Sequence, residues 1–283
     1  MNNPILQYFL YGNLYLGVLA FSLVWAGEKL FSLPADPLLK WFVFFSTVLV
    51  YNFDRIANLI PDRHASPARA GFFRKNRKIF ILITAASLLP LTWIILQLSL
   101  DSLIWFTPLG VLTLLYLYFF GWRSQKRDRT AWLKPLLLSI VWTTVVVAAP
   151  FITSSSPLSK GALWLWGIRF LEYFTNGILF DFRDIAGDTK EQKANFVAFS
   201  GFRQSVVISF VSSLIALAMT SYALATQMLP RAVSAEIPVT LLYLAITWRV
   251  YSTGEAPLQK ELHYALFLDG ALFLPVLFIM AGV

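Results

Sequence analysis

An all-α integral membrane bundle is the fold class this chain predicts, and three observations carry it. Of 283 residues, 58% are hydrophobic and only 13% charged. The mean hydropathy of +0.66 lies far above that of soluble domains. Apolar runs of about 20 residues, the length that crosses a bilayer core as a helix, recur from one end of the chain to the other.

About nine such runs can be drawn. They cover Ile5 to Trp25, Pro37 to Leu59, Ile79 to Leu100, Leu103 to Trp122, Lys134 to Ile152, Gly161 to Asp181, Ser205 to Ala225, Ile237 to Tyr251 and Leu262 to Gly282. Only Met1 to Pro4 precede the first, with no basic segment, and its apolar run is too long for a signal peptide, so it reads as a retained helix. No Gly/Ser linker, low-complexity tract or large insertion divides the sequence. A single transmembrane domain over residues 1–283 follows.

Charge placement orients that domain. Arg63, Arg69, Arg74, Lys75, Arg77 and Lys78 lie between the second and third spans. Arg123, Lys126, Arg127, Arg129 and Lys134 lie between the fourth and fifth, and Arg183, Lys190, Lys193 and Arg203 between the sixth and seventh. The alternate connections hold only Lys29, Lys40, Lys160 and Arg231. The positive-inside rule therefore puts the N-terminus and the cap loops at about 60–78, 122–134 and 188–204 in the cytoplasm, and the C-terminus outside. The net charge of +8 is thereby explained by topology and anionic lipid, with no nucleic-acid partner. The absence of cysteine excludes disulfides, thiol nucleophiles and thiolate metal sites. No Walker loop, GxSxG, HExxH or CxxC occurs, and His64 and His263 lack metal-ligand spacing.

Chemistry concentrates where the sixth span ends. Asp181, Asp184 and Asp188 form a DxxDxxxD pattern, which on a helix sets the three carboxylates within about 60° of one another. Such a cluster calls for protonation, a basic partner or a hard cation such as Mg²⁺. The plainer alternative is a solvated helix end balanced by Arg183, Lys190 and Lys193. At the end of the second span, Asp54, Asn58 and Asp62 recur every four residues, although Pro61 interrupts a helix there and Asp54 has Arg55 beside it. The two polar ends have the same orientation and are expected to face a shared vestibule. Lys126 and Arg127 are candidates to offer fixed positive charge to a phosphate, with binding to the membrane surface as the alternative.

Within the spans, Arg169 and Glu172 stand three apart and predict an internal pair, with Tyr173 and Asn176 near the same stripe. Asp269 predicts a buried acid, with Arg249 as its partner. Phe170, Phe174 and Phe180 lead toward the acidic cluster and are candidates to line an apolar tunnel and stabilise a carbocation.

Taken together, the span count, the inside N-terminus and acidic clusters after the second and sixth spans resemble the UbiA superfamily of intramembrane prenyltransferases. Asp181, Asp184 and Asp188 match all three positions of its second motif, with Arg183 inside it as in many members, and Lys126-Arg127 falls where the family carries a Lys-Arg pair. The first motif, NDxxDxxxD in the family, departs. One register puts Asp54 at the centre with Val50, Tyr51 and Asn58 around it; the other starts at Asn58, centres on Asp62 and leaves Leu59 and Ser66. The resemblance implies a prenyl diphosphate donor, an aromatic or lipid acceptor and Mg²⁺ as cofactor. It implies metal ligation by Asp54, Asp62, Asp181, Asp184 and Asp188, catalytic roles for Asp54, Asp181 and Asp184, and diphosphate contacts from Arg55, Asn58, Lys126 and Arg127. Two other outcomes belong to the same resemblance: a membrane terpene cyclase that needs no acceptor, and a non-catalytic isoprenoid-binding protein.

Overall fold

The computed structural model describes residues 4–57, 67–122, 130–190, 193–254 and 264–282. Among the described residues there is no strand, and helix follows helix. The first two, α1 (Pro4–Tyr11) and α2 (Leu14–Leu30), meet at 62°. The bend sits at Asn13, whose φ of 57° is left-handed, a conformation Asn tolerates better than most residues. A buried amide pair fixes it: Asn13 Nδ2 donates to Asn52 Oδ1 at 2.8 Å, and Asn52 Nδ2 donates to the Gly12 carbonyl at 2.9 Å. Asn52 lies on α3 (Pro37–Ala57).

The chain continues through α4 (Pro67–Lys75), α5 (Arg77–Gln97) and α6 (Leu100–Tyr116), the last prolonged by a π turn at Leu117–Trp122. Then α7 (Leu133–Thr143) passes through a second π turn, Thr144–Ala148, into α8 (Ala149–Thr153). The longest element is α9, Lys160–Lys190, with 31 residues. It leads to α10 (Phe196–Ser200), α11 (Phe202–Ala225), a 3₁₀ turn at Arg231–Ala235 and α12 (Glu236–Thr253). After π and 3₁₀ turns at Tyr264–Asp269 and Gly270–Phe273 comes α13 (Leu274–Met280).

By length and apolarity, 5 of these helical stretches can cross a membrane, or 6 if the bent α1–α2 pair counts as one span. Nine was the expectation. The difference has physical causes: the first span is bent at Asn13, the last is broken into turns, and α3 and α9 carry polar side chains that lower their hydropathy. Leu82, Leu89, Trp93 and Leu96 on α5, with Ile104 and Trp105 on α6, stand exposed. Such a surface is stable against lipid and would associate in water. The protein is an integral membrane protein.

The core is organised around α9, which packs against α7, α11 and α12. It buries residues around much of its circumference, among them Ile168, Tyr173, Ile178, Leu179 and Phe182, as a central helix must. Its polar side chains Arg169, Glu172, Asp181 and Asp188 are buried with them and so require partners. One glycine sets the site. A Cβ at Gly177 would lie 3.1 Å from Pro135 Cβ, so its absence lets the start of α7 close on α9 one turn before Asp181.

Candidate active site

That close approach puts Lys134 Nζ 2.6 Å from Asp181 Oδ1 and 4.0 Å from Asp188 Oδ2. Asp181 is 2% exposed, and its second oxygen accepts the Phe196 backbone N–H at 2.8 Å. Asn195 completes the arrangement from both ends. Its Nδ2 donates to the Asp181 carbonyl and to Asp188 Oδ2, each at 2.9 Å, while its Oδ1 caps α10 by accepting from Ala198 N at 3.0 Å. The acids thus tie the start of α10 back onto α9. Burial pushes the Asp188 carboxyl above its ordinary pKa, and Lys134 and Asn195 pull it the other way.

Asp184 stands differently. Both its oxygens meet the neighbouring Arg183, from Nε and Nη2 at 2.7 Å each, and that guanidinium lies 4.7 Å from the centroid of the Phe180 ring. The convergence expected from the DxxDxxxD spacing is therefore realised for Asp181 and Asp188, which share Lys134. Among the described residues no group of three acidic or histidine side chains is placed to hold one ion. The reason is electrostatic: each acid already faces a cation, Lys134 or Arg183.

Asp54 and Arg55, on the last turn of α3, are described and engaged. Asp54 belongs to the same electrostatic neighbourhood as the second cluster, because half-buried Tyr116 at the end of α6 feels Lys134, Asp54, Asp181 and Asp188 together. Tyr51, one turn before Arg55, accepts a hydrogen bond from Trp142 Nε1 at 2.9 Å. Asn58, Asp62, Lys126 and Arg127 lie outside the described residues. Of the aromatic candidates, Phe170 and Phe174 belong to a ladder at helical spacing: Trp166 to Phe170 at 5.4 Å, Phe170 to Phe174 at 6.0 Å, and Phe174 to Phe196 at 6.1 Å between ring centroids. The ladder ends at the residue whose N–H holds Asp181. Phe180 instead supports Arg183.

Two expected pairings are corrected. Arg169 makes its ion pair with Glu236 at the start of α12, at 2.6 Å, rather than with Glu172. Glu172 accepts instead from Thr240 Oγ1 at 3.0 Å. A carboxylate on a neighbouring helix meets the buried guanidinium more directly than one a turn away on its own helix. This cluster borders a small, partly open pocket lined by Arg169 and Glu236 among aliphatic side chains of α2, α9 and α13. Asp269 accepts a hydrogen bond from Asn176 Nδ2 at 3.2 Å, whereas Arg249 is exposed on α12. Sequence reasoning missed Lys134 and Asn195 as site residues. The available signal was a lysine directly before proline at the head of an apolar span, on the face that carries the acids.

No protein-family model matches the chain, and no curated protein matches it. Solved structures do. The apo structure of a UbiA homolog from Aeropyrum pernix K1 superposes with a TM-score of 0.71 at 16% identity, over 94% of this chain and 97% of that one. A UbiA homolog from Archaeoglobus fulgidus, solved bound to GPP and Mg²⁺, gives 0.69 at 16% identity, over 98% of each chain. A structure of digeranylgeranylglyceryl phosphate synthase gives 0.62 at 14% identity, over 98% of each. The chain therefore has the UbiA fold over nearly its whole length.

Proposed function

We propose that this chain is a UbiA-superfamily enzyme, one transmembrane domain over residues 1–283, that transfers a prenyl group from a prenyl diphosphate to an aromatic or lipid acceptor in the membrane. The observation that carries the reading is a coincidence of place. Among the described residues, three acids, a lysine and a backbone-anchored loop meet at the end of α9, where the sequence resemblance puts the diphosphate site. The relatives solved with GPP or DMAPP and Mg²⁺ support the donor class. The basic loops support a cytoplasmic location for this site and for the N-terminus, with the C-terminus outside.

The donor set suits a hard cation by chemistry, being carboxylate oxygen throughout. Asp181, Asp184 and Asp188, with Asp54 and Asp62 of the first motif, are the residues that would hold Mg²⁺. When bound, the ion supplies positive charge against the leaving diphosphate. The chain's own groups do the rest. Lys126, Arg127, Arg55 and Asn58 orient the diphosphate, and Asp184 and Asp181 fix the geometry at its inner side. The C–O bond of the allylic ester breaks, its electron pair leaving with the diphosphate, while the face of the Phe170–Phe174 ladder stabilises the allylic cation. The acceptor forms the new bond to that carbon and gives up a proton.

A second reading has an observation of its own. Asp181 and Asp184 each already hold a cation from the protein, and the first motif departs from the family pattern, as in a protein that binds isoprenoids without consuming them. Incubating purified protein with labelled geranyl, farnesyl and geranylgeranyl diphosphates, with and without Mg²⁺, quinone precursors and polar lipids, separates the readings. A prenylated acceptor formed only with Mg²⁺ and acceptor supports transfer. Hydrocarbon or terpene alcohol formed without acceptor identifies a cyclase, and retention of intact diphosphate overturns catalysis.

A further inference from the structure

We infer that Lys134 is a displaceable counter-cation of the acidic cluster: its ammonium holds Asp181 and Asp188 in the resting protein and exchanges them for diphosphate oxygens when the cluster takes up a divalent cation. The inference rests on the functional reading above for the identity of the two ligands. Its basis is electrostatic. The ammonium lies 2.6 Å from Asp181 Oδ1. A Mg²⁺ ion bound to the same carboxylate at about 2.0–2.1 Å would face the ammonium as a like charge only a few ångströms away.

The carboxylate is the fixed partner of the pair. Asp181 Oδ2 is held by the Phe196 N–H, and its side chain is only 3% exposed. Turning the group away from Lys134 would strand that donor in the core, so the carboxylate keeps its place. Lys134 is the movable partner. It sits in the first turn of α7, its side chain is 23% exposed, and its four-carbon stem is flexible. Charge balance points the same way. Three acids face two protein cations, Lys134 and Arg183, so a divalent ion added with the ammonium in place would leave excess positive charge in a largely buried site. A diphosphate arriving with the ion gives the released ammonium its new partner.

The test is Mn²⁺ binding to the full-length protein in detergent, followed by electron paramagnetic resonance, for wild type and for Lys134→Met, Lys134→Gln and Lys134→Arg. Expected is tighter binding in the two uncharged variants by about tenfold or more, because a unit charge a few ångströms away is worth at least that factor. Lys134→Arg should stay near wild type. Inorganic pyrophosphate with Mn²⁺ should bind more weakly to Lys134→Met than to wild type. Lys134→Gln keeps a hydrogen bond to Asp181, so it carries the test where Lys134→Met fails to fold. Equal or weaker Mn²⁺ binding in the uncharged variants overturns the exchange, as a merely structural lysine would require. If wild type consumes prenyl diphosphate and that result is found, the exchange fails alone. If wild type consumes none but the variants bind Mn²⁺ more tightly, the functional reading fails and the exchange stands.

Discussion

Asp181 and Asp184 stand three residues apart on α9 and answer to different demands. Asp181 is buried, ion-paired to Lys134 and bonded to the Phe196 N–H, so it holds structure besides the role proposed for it in the site. Asp184 pairs with the adjacent Arg183, its side chain 19% exposed against 3% for Asp181, so less is stranded when its charge is removed. Asp181→Asn should therefore lower both stability, by about 3–5 kcal/mol, and turnover. Asp184→Asn should abolish most turnover under saturating Mg²⁺ while costing less stability than Asp181→Asn. Thermal melts in detergent beside turnover assays check both, and equal melting losses in the two variants would count against this division of roles. The acids themselves were legible in the sequence because their pattern is local. Lys134 reaches Asp181 across 47 residues, and Asn195 reaches it across 14 around a loop. No periodicity encodes contacts of that separation.

At the scale of elements, the meeting of α7 and α9 positions the site, and Gly177 permits it. Alanine in place of an exposed helical glycine normally stabilises, by about 0.5–1 kcal/mol. Gly110 on α6, where a Cβ would meet nothing within 4 Å, should follow that rule. Gly177→Ala should reverse it, losing about 1–2 kcal/mol as Pro135 is pushed back, and it should lower turnover by drawing Lys134 off Asp181. A stabilised, fully active Gly177→Ala protein would show that the approach of α7 does not set the site. The helix ends were readable from apolar run lengths, since α5, α6, α7–α8 and α11 match their expected spans closely. The first and last were not. Whether an asparagine takes a left-handed conformation, or a span breaks into π and 3₁₀ turns, depends on tertiary partners such as Asn52 rather than on hydropathy.

Across the whole molecule the account joins a fold to an orientation. The chain contains no cysteine, so single cysteines report sidedness without background. Lys190→Cys should label with a membrane-impermeant maleimide only from the cytoplasmic side, and Arg231→Cys only from the other. The reverse pattern would invert the topology and take the site out of the cytoplasm. Fold class was legible from composition alone, because only a bilayer accommodates so much exposed apolar surface, whereas the separation of function into transfer, cyclisation or binding depends on how three acids are compensated. The central claim is that the end of α9 makes this a prenyl diphosphate-consuming enzyme, and diphosphate release tests it most directly. Purified protein given geranyl diphosphate, Mg²⁺ and a lipid or quinone-precursor acceptor should release diphosphate in step with prenylated product, and Asp184→Asn should release almost none. Intact substrate after prolonged incubation, or equal release by the variant, would contradict it.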